Sequence, residues 1–480
     1  MASTSIQLGN FNQGGLSDSR WSGISNSFYK MTGLDPHTSP GLLKVAQKLT
    51  KISSTTITAF CKERVVSSNG CVYWFSYTDG KIWQQTISTN AFILVYTTVA
   101  AAGGHGCLGA CEYQGYIYWA TESRLHRIAA TGNITAALWT ANVALNWKTF
   151  TITDALFHPM HENTGTQVLY IGDGNYVAQV DAGTFTANAL DIKTPLRVKS
   201  LGQIGTDLLV GTWVADTITK TELIRWNTWS VSFTNSDPIP ETGINAFIPA
   251  DNFVLVQAGL AGNIYSFDGS VMELYKKIPG DYSPTKYGYV HPSSVGNLNG
   301  QILFGMSNGT GNPCDLGVYR LALYDRKYPL MLDFPYPISE RSGTALVTTG
   351  IEIGGIAVSG FNVYIAWKNG TTYGVDKIDY FNKLDGAYLE TRIMSLNRDM
   401  LSTMNNLNLN YYEIPASCNI TLAYDKNYAG YVNMIAIKDT QRNTISSEEG
   451  VEASSLSVKA TFTTSVNTCP SIESGLIILS

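Results

Sequence analysis

The amino-acid sequence predicts an all-β protein. Helical patterning is almost absent, and short runs rich in Val, Ile, Tyr, Phe and Trp alternate with Gly, Asn, Asp and Ser turns. Charged residues make up only 14% of the 480 residues, against about 25% in an average soluble protein. The 44 Gly and 27 Tyr also suit an all-β surface or assembly protein better than a helical enzyme. The best helical candidate is a short stretch at residues 41–49.

A strand–turn–strand unit recurs seven times along the middle of the chain. Each copy is an apolar strand, often with an aromatic residue, followed by a turn and a second strand. The strands of the copies are centred on Tyr73, Tyr118, Tyr170, Val210, Val256, Phe304 and Tyr364, with spacings of 45, 52, 40, 46, 48 and 60 residues. A four-stranded blade takes about 40–50 residues, and a closed ring of blades leaves only short edges. The repeats therefore predict a β-propeller of about seven blades over residues 46–385. Six or eight blades, or a non-repeating array of β-sandwiches, are the alternatives.

The first 45 residues fall outside the repeat. They are rich in Gly, Ser and Asn and carry widely spaced aromatic residues, so we expect an extended N-terminal arm without a core of its own. Such an arm becomes ordered by lying on a neighbouring molecule. Trp21, Phe28, Tyr29 and Leu34 are therefore the predicted residues of an assembly interface, since aromatic residues dominate such contacts.

Residues 386–480 also fall outside the repeat and predict a C-terminal β-sandwich. Six apolar runs are present, at 388–393, 407–412, 420–424, 432–437, 456–462 and 475–479. Most of them alternate with period two, which gives each strand one buried and one solvated face. Six short strands in about 95 residues are typical of a small sandwich.

Charge and cysteine content limit the possible environments. The formal net charge is −5, with 32 Lys and Arg against 37 Asp and Glu, which argues against a nucleic-acid coat protein. No run reaches the roughly 18 apolar residues of a membrane helix, so no membrane insertion is expected. Residues 1–15 do not resemble a secretory signal. Seven cysteines, an odd number, indicate a reducing cytoplasm rather than a disulfide scaffold.

No metal, cofactor or catalytic site is expected. His158-Pro-Met-His161-Glu162 superficially resembles a zinc-protease motif, but Pro159 and the spacing favour a polar loop between blades. His105, Cys107 and Cys111 are close in sequence, but structural zinc usually takes four ligands, so buried small residues are favoured. Nothing among the 37 acidic residues selects the carboxylate pair of a glycosidase. We therefore expect that the protein is not an enzyme.

Both ends of the chain resemble structural proteins of tailed bacteriophages. At the N-terminus the resemblance rests on Gly15-Leu-Ser-Asp-Ser-Arg20, Asn26-Ser27, Gly33-Leu-Asp-Pro36 and Pro40-Gly-Leu-Leu-Lys44. At the C-terminus it rests on Ala387-Tyr-Leu-Glu-Thr-Arg392, Tyr411-Tyr412 and Ile420-Thr-Leu-Ala-Tyr424. In that group an arm precedes a propeller-like body, and a sandwich often ends the chain. The nozzle at the tail tip of short-tailed phages has a similar size and build.

The resemblance implies a virion structural protein that is assembled in the host cytoplasm and has no catalytic residues. As a nozzle it would form a homo-oligomeric ring, with six copies as one expected number, and would contact other tail or capsid proteins. DNA would pass through the ring transiently, so an acidic ring lumen that repels phosphate is expected.

Two other functions remain open from the sequence. The first is a receptor- or glycan-binding spike or a capsid decoration protein, in which the loops at 214–220 and 307–315 would carry specificity. The second is a glycan-degrading enzyme built on the propeller, which would need two carboxylates about 5–10 Å apart in a cleft.

Overall fold

The seven hairpins found in the sequence form the middle strands of seven antiparallel four-strand units, six of which are separate sheets and one of which is part of a ten-stranded sheet. The computed structural model describes residues 4–9, 11–21, 26–39, 41–53, 57–98, 105–132, 134–152, 156–214, 221–250, 253–322, 330–340, 346–395, 402–437 and 443–479. The inner strands of successive sheets contact one another around a closed ring, in which the seventh sheet contacts the first. The protein is therefore a seven-bladed β-propeller, which confirms the predicted fold.

Each blade has four strands, and the blades are numbered 1 to 7 in chain order. The inner strands are Cys61–Val66, Gly109–Tyr113, Met160–Asn163, Arg197–Ile204, Ile244–Pro249, Tyr287–Leu298 and Ile351–Ser359. The second strands are Cys71–Ser76, Tyr116–Ala120, Val168–Asp173, Asp207–Trp213, Val254–Ala258, Gln301–Thr310 and Asn362–Asn369. The third strands are Lys81–Thr86, Arg124–Ala129, Tyr176–Asp181, Thr221–Trp226, Asn263–Phe267, Gly317–Ala322 and Thr372–Lys383. The outer strands are Ala91–Thr97, Ala144–Thr149, Thr184–Asp191, Asn235–Ile239, Met272–Lys277, Met331–Tyr336 and Gln47–Lys51.

Blade 7 is completed by a strand from the N-terminal part of the chain. Its outer strand, Gln47–Lys51, pairs antiparallel with Thr372–Lys383. In this pairing Leu49 lies opposite Ile378, and both side chains are buried. The two ends of the propeller chain are thereby joined within one sheet, which closes the ring.

The prediction of a short helix at residues 41–49 is wrong. The segment instead contains two strands, Leu43–Val45 and Gln47–Lys51. Val45 and Leu49 are buried, and their spacing of four residues fits one face of a strand as well as one face of a helix. The partner strands Ser471–Leu479 and Thr372–Lys383 decide between the two, because each offers free backbone groups at a sheet edge.

The core of the propeller lies between the blades. Every residue of Cys71–Ser76 is buried, because a middle strand is covered by the neighbouring blade on each face. Each of five hydrophobic clusters joins two adjacent blades, with Trp74 and Tyr364, for example, packed between blades 1 and 7. The aromatic residues of the sequence repeat therefore serve mainly as packing between blades.

Two short helices are present in the described part of the chain, Phe11–Gly14 and Ala136–Asn142. The second lies between the third and outer strands of blade 2. The hydroxyl of Thr135 accepts a hydrogen bond from the backbone N–H of Leu138 and so caps this helix. Its Trp139 is fully buried and lies 5.4 Å from Trp119, measured between ring centroids.

The C-terminal part forms the predicted β-sandwich, but both of its sheets also contain N-terminal strands. One sheet contains, in spatial order, Leu34–Asp35, Leu43–Val45, Ser471–Leu479, Ser402–Tyr411 and Asn443–Ala453, and Thr4–Leu8 pairs with Ser471–Leu479. The other continues from the outer strand of blade 6 through Phe28–Thr32, Ala387–Thr391, Ser455–Thr463, Asn419–Lys426 and Tyr431–Ile437, and Met394–Ser395 pairs with Ser455–Thr463. Residues from both sheets share one hydrophobic cluster. The sandwich is therefore a continuous extension of blade 6.

Candidate functional site

The residues predicted for an assembly interface lie in two different environments. Phe28 and Leu34 are buried in the chain's own core, and Phe28 stacks on Phe11 with ring centroids 5.6 Å apart. Tyr29 is half-buried, with the Arg20 guanidinium 5.6 Å from its ring centroid. Trp21 is 60% exposed. The expectation of an arm without a core of its own is therefore corrected, because its strands fill places in the sandwich sheets. Contact with other subunits stays a prediction, and Trp21 is the member that is open to solvent.

A buried ion cluster fixes the N-terminal segment to blade 6. The Arg320 guanidinium donates to Asp35 Oδ1 at 3.0 Å and to Asp333 Oδ2 at 3.2 Å. The imidazole of His37 also lies 2.9 Å from Asp333 Oδ2. Burial alone would raise the pKa of Asp35, but Arg320 and the hydroxyl of Thr38 hold it well below its usual range. The segment is thus held by charge as well as by strand pairing.

Trp229, the most exposed aromatic residue of blade 4, lies in the turn between the third and outer strands of that blade. The Asn227 side chain builds this turn, since its Oδ1 accepts hydrogen bonds from the backbone N–H groups of Trp229 and Ser230, both at 3.1 Å. Trp229 is 87% exposed, and Val231 is also almost fully open to solvent. We call Trp229 and Val231 the blade 4 patch. An ordered turn that presents a tryptophan to solvent is typical of a contact surface rather than of a core.

A second exposed apolar group lies on blade 7. Phe381 is 85% exposed, and its turn is held by Asp379 Oδ1, which accepts from the Phe381 N–H at 3.1 Å. The Tyr380 hydroxyl donates to the carbonyl oxygen of Phe361 at 2.5 Å, which brings the two exposed residues together. We call Phe361, Tyr380, Phe381 and the exposed Val466 the blade 7 patch.

The two patches lie on the same face of the propeller and on nearly opposite sides of it. We define the top face as the one where the inner strands begin and the bottom face as the one where they end. Turns between first and second strands and between third and outer strands lie on the bottom face, because the sheets are antiparallel. Both patches lie at such turns. Blades 4 and 7 are three blades apart in a ring of seven, which is as far apart as two blades can be.

A channel runs through the centre of the propeller between the inner strands. Two cavities of about 380 and 450 Å³ occupy its top and bottom halves. They share the lining residues Arg64, Ala110, Met160, His161, Gly296 and Asn297, so the two cavities adjoin one another. The shared residues come from the inner strands of blades 1, 2, 3 and 6.

The inner strands of five blades are interrupted by β-bulges. The extra residues are Lys62 in blade 1, Lys199 in blade 4, Asn245 in blade 5, 291–294 in blade 6 and 354–355 in blade 7. A bulge turns the affected side chain away from its regular direction and is common next to functional sites. The bulge in blade 4 thus lies where Lys199 lines the channel.

One buried carboxylate lies among these cations. Burial raises the pKa of Glu63 to about 7. Its Oε2 accepts a hydrogen bond from the Ser293 hydroxyl, and its Oε1 lies 3.4 Å from His291 Nε2. Burial lowers the pKa of His291, and Lys62, Lys199 and Arg64 lower it further. Both members of the Glu63–His291 pair are therefore shifted toward their neutral forms.

The histidine motif of blade 3 is partly a strand and not wholly a loop. Met160–Asn163 is the inner strand of the blade, which corrects the expectation of a polar loop. His158 precedes it and is fully buried, with Nδ1 2.6 Å from the carbonyl oxygen of Gly172. His161 Nε2 lies 3.1 Å from Gln203 Oε1. The backbone of 160–163 becomes a strand because Val168–Asp173 supplies its pairing partner.

Cys107 is buried just before the inner strand of blade 2, as the sequence predicts, whereas Cys111 lies within that strand and is only half-buried. Burial raises the pKa of Cys111 to about 12, so its thiol stays protonated at neutral pH. Across the described ranges no group of three or more His, Cys, Asp or Glu residues is close enough to hold a metal ion. No helix in the described ranges is long and apolar enough to cross a membrane.

Of the two loops proposed for receptor specificity, one can be placed. Residues 215–220 lie outside the described part of the chain. The loop at 307–315 begins within the last residues of the second strand of blade 6, Gln301–Thr310, and lies on the top face. Within it, the side-chain amide of Asn308 donates to the carbonyl oxygen of Gly311 at 3.0 Å.

The comparisons with known proteins bear only on the fold. No protein-family model matches the sequence, and no curated protein matches it. A streptogramin B lyase structure aligns with 10% identity and a TM-score of 0.46 over 70% of this chain and 98% of that one. Virginiamycin B lyase from Staphylococcus aureus aligns with 12% identity and a TM-score of 0.46 over 69% and 97%. The Dos1 propeller aligns with 11% identity and a TM-score of 0.42 over 70% and 94%. Identities this low carry no information on activity or partners.

Sequence reasoning missed both the bottom-face patches and the channel lysine Lys199. Trp229 was available as a signal, because it lies in an Asn-Thr-Trp-Ser turn outside the apolar runs of the repeat. Lys199 had no such signal, since a bulge is a property of the pairing between two strands. The other residues that line the channel with it come from blades that are far apart in sequence.

Proposed function

We propose that this chain is a structural protein of a tailed-phage virion, a subunit of a ring at the tail tip that forms the nozzle for DNA exit. The observation that carries the ring is the pair of apolar patches on blades 4 and 7. In a closed ring of identical copies, each subunit uses two different surfaces, one for each neighbour. The assignment to a virion rests on the phage-like motifs at both ends of the chain.

The occupant of each patch is a second copy of this chain. The blade 4 patch is small and projects from a hydrogen-bonded turn, whereas the blade 7 patch is broader and joins the sandwich through Val466 and Lys383. The backbone N–H of Lys383 donates to the carbonyl oxygen of Val466 at 2.9 Å, so these two parts of the surface are tied together. A projecting aromatic on one copy can therefore pack on the broader surface of the next.

Ring assembly is tested with single substitutions in the two patches. Trp229→Ser and Phe381→Ser each remove one exposed ring, and neither leaves a buried cavity. Each is expected to weaken association between copies by about 2 kcal/mol or more, which is roughly a 30-fold increase in the dissociation constant. Mass photometry of the full chain measures the assembled fraction. Leu145→Ser, an exposed apolar residue on blade 2, is the matched control and should assemble as the unmodified chain does.

Mixing the two variants distinguishes a ring from a symmetric dimer. A Trp229→Ser subunit retains its blade 7 patch, and a Phe381→Ser subunit retains its blade 4 patch. The mixture should give heterodimers and no rings, because only one intact contact can form per pair. Unchanged assembly of both single variants would contradict the proposed contact surfaces.

The other functions that the sequence left open predict a different location of the protein in the particle or a different kind of site. A capsid decoration protein would be spread over the shell, and a receptor-binding spike would bind a defined glycan or surface protein. A glycan-degrading enzyme would need a free carboxylate pair in a cleft. Glu63 is the one carboxylate among the described residues that line the top half of the channel. In the bottom half, Glu112 lies near Glu162 but accepts hydrogen bonds from the backbone N–H and the hydroxyl of Ser68.

A further inference from the structure

An exposed aromatic pair lies on the C-terminal sandwich and shares no residue with the two bottom-face patches. Trp21 is 60% exposed and Tyr428 is 50% exposed. Their ring centroids lie 5.2 Å apart, with the ring planes at 51° to one another. Trp21 belongs to the N-terminal segment, whereas Tyr428 lies in the turn between Asn419–Lys426 and Tyr431–Ile437. We call Trp21 and Tyr428 the aromatic platform.

The backbone at Tyr428 has a conformation that glycine normally takes. The Ala429 N–H donates to the carbonyl oxygen of Lys426 at 3.0 Å, and the two residues between them, Asn427 and Tyr428, have φ angles of 52° and 63°. Two positive φ angles in succession are typical of a type I′ turn, in which Asn is favoured first and Gly second. A bulky residue is unfavourable in this left-handed region. Tyr428 therefore opposes folding where a glycine would not, which points to a role of its exposed ring outside folding.

The turn that carries Tyr428 is fixed by its neighbours. Asn427 Oδ1 accepts hydrogen bonds from the backbone N–H groups of Ser454 and Ser455, both at 3.0 Å. Asp425 Oδ1 accepts from the backbone N–H of Gly430, also at 3.0 Å. The platform is therefore ordered before a ligand arrives, and binding to it has a low cost in conformational entropy.

Charged hydrogen-bonding groups lie beside the platform. The Arg20 guanidinium lies 5.8 Å from the ring centroid of Tyr428 and donates to Asp425 Oδ2 at 3.3 Å. The side chain of Arg20 stays 32% exposed. Because a guanidinium has five N–H donors, its bond to Asp425 leaves donors for a ligand that lies on the rings.

The exposed apolar area is small for a protein contact. Aromatic side chains bury about 150–250 Å² each, so the exposed parts of these two rings offer roughly 200 Å² in all. Each partner in a standard protein interface buries about 800 Å². Lys426 and Asn427, next to Tyr428 in the sequence, are exposed and polar. A sugar ring suits such a site, because its C–H face packs on the negative face of an aromatic ring while its hydroxyls bond to charged groups.

We propose that the aromatic platform binds one or two sugar rings of a carbohydrate. Trp21 and Tyr428 stack on the sugar, and the Arg20 guanidinium donates to its hydroxyls. The proposal does not rest on ring assembly, because the platform and the patches on blades 4 and 7 have no residue in common.

A printed array of bacterial surface polysaccharides, probed with the labelled full chain, tests this site. Calorimetry with the bound polysaccharide in solution then measures the affinity of each variant. Trp21→Ser and Tyr428→Gly should each lower the affinity at least 10-fold. The melting temperature of Tyr428→Gly should not fall, because glycine suits the left-handed position. Ser417→Gly is the matched control, since Ser417 is exposed, has a φ of 65° and lies outside the platform, so it should bind as the unmodified chain does.

The outcomes separate this site from the ring contacts. Trp229→Ser should lower assembly and keep its affinity for the carbohydrate, whereas Trp21→Ser should do the reverse. Binding of no polysaccharide by the unmodified chain would overturn the proposal, as would equal affinities of the two platform variants and the unmodified chain. A fall in the assembled fraction of Trp21→Ser and Tyr428→Gly, measured by mass photometry, would also overturn it and assign the platform to a second copy of the chain.

Discussion

Arg320 lies almost wholly buried in blade 6, between the carboxylates of Asp35 and Asp333. A buried ion pair contributes little to stability compared with well-packed apolar groups, but breaking it by removing one partner is costly. Asp35 belongs to the N-terminal segment, so the cluster joins two parts of the chain that are 285 residues apart. The loss of one carboxylate should therefore affect both the anchoring of this segment and the stability of the molecule.

Asp35→Ala is predicted to lower the free energy of unfolding by about 3–5 kcal/mol, because Arg320 loses one of its two charged partners. Urea denaturation measures the difference. Asp281→Ala removes the carboxylate of an exposed ion pair with Lys286 and is the matched control, with an expected loss of under about 1 kcal/mol. Equal losses in the two variants would contradict the anchoring role of the cluster.

The carboxylate of Asp35 also makes the folding stability depend on pH, and the direction of that dependence follows from its lowered pKa. The folded-state pKa of Asp35 lies below its usual value, so the unfolded chain takes up this proton first as the pH falls. The stabilisation is present above about pH 4 and is lost as the pH falls further. Asp35→Ala should therefore show a shallower loss of stability below about pH 4 than the unmodified chain, as measured by urea denaturation across that range.

Residue-level prediction from the sequence succeeded where packing is local and was wrong where it is remote. The Tyr and Trp residues of the repeat were expected inside strands, and Trp74 and Tyr118 are buried there. Phe28 and Leu34 were expected at a surface, because no apolar run near them suggests a core. Their core is provided by C-terminal strands remote in sequence, such as Ala387–Thr391, which no local pattern can reveal.

At the scale of elements, the ring depends on the strand Gln47–Lys51. It is the outer strand of blade 7, and Leu49 turns toward the core. Outer strands of the other blades follow their third strands directly in sequence, whereas this one is separated from its partner by the whole propeller. Its pairing therefore has a large loop-closure cost that side-chain burial must offset.

Leu49→Ala is predicted to lower the free energy of unfolding by about 2–5 kcal/mol, because it leaves a cavity in the closing strand. Ile93→Ala, in the outer strand of blade 1, is the matched control. Ile93 is largely exposed, so its expected loss is under about 1 kcal/mol. Urea denaturation followed by tryptophan fluorescence compares the two variants. A larger loss for Ile93→Ala would contradict the importance of the closing strand.

The elements that could be predicted were those with a distinctive pattern. The second and third strands of each blade are apolar and aromatic, since both of their faces are covered, and all seven hairpins are confirmed. The inner strands were not recognised, because they are short or bulged and carry polar residues toward the channel. Asn443–Ala453 was missed in the sandwich, because Ser446, Ser447, Glu448 and Glu449 interrupt its apolar pattern.

At the scale of the whole molecule, the propeller and the sandwich share a ten-stranded sheet. The outer strand of blade 6 pairs in parallel with Phe28–Thr32, which pairs in turn with Ala387–Thr391. This continuity fixes the sandwich relative to the bottom-face patches, as a ring subunit requires. In the proposed ring, the acidic lumen expected of a nozzle would be the opening between copies, which is distinct from the channel through each propeller.

The location of the chain in a particle tests the central claim most directly. Phage particles from the source lysate are labelled with a gold-conjugated antibody to this chain and examined by electron microscopy. The proposed function predicts label at a single site per particle, at the tail tip. Label spread over the whole shell would contradict the nozzle and indicate a decoration protein, and particles without label would contradict a virion protein altogether.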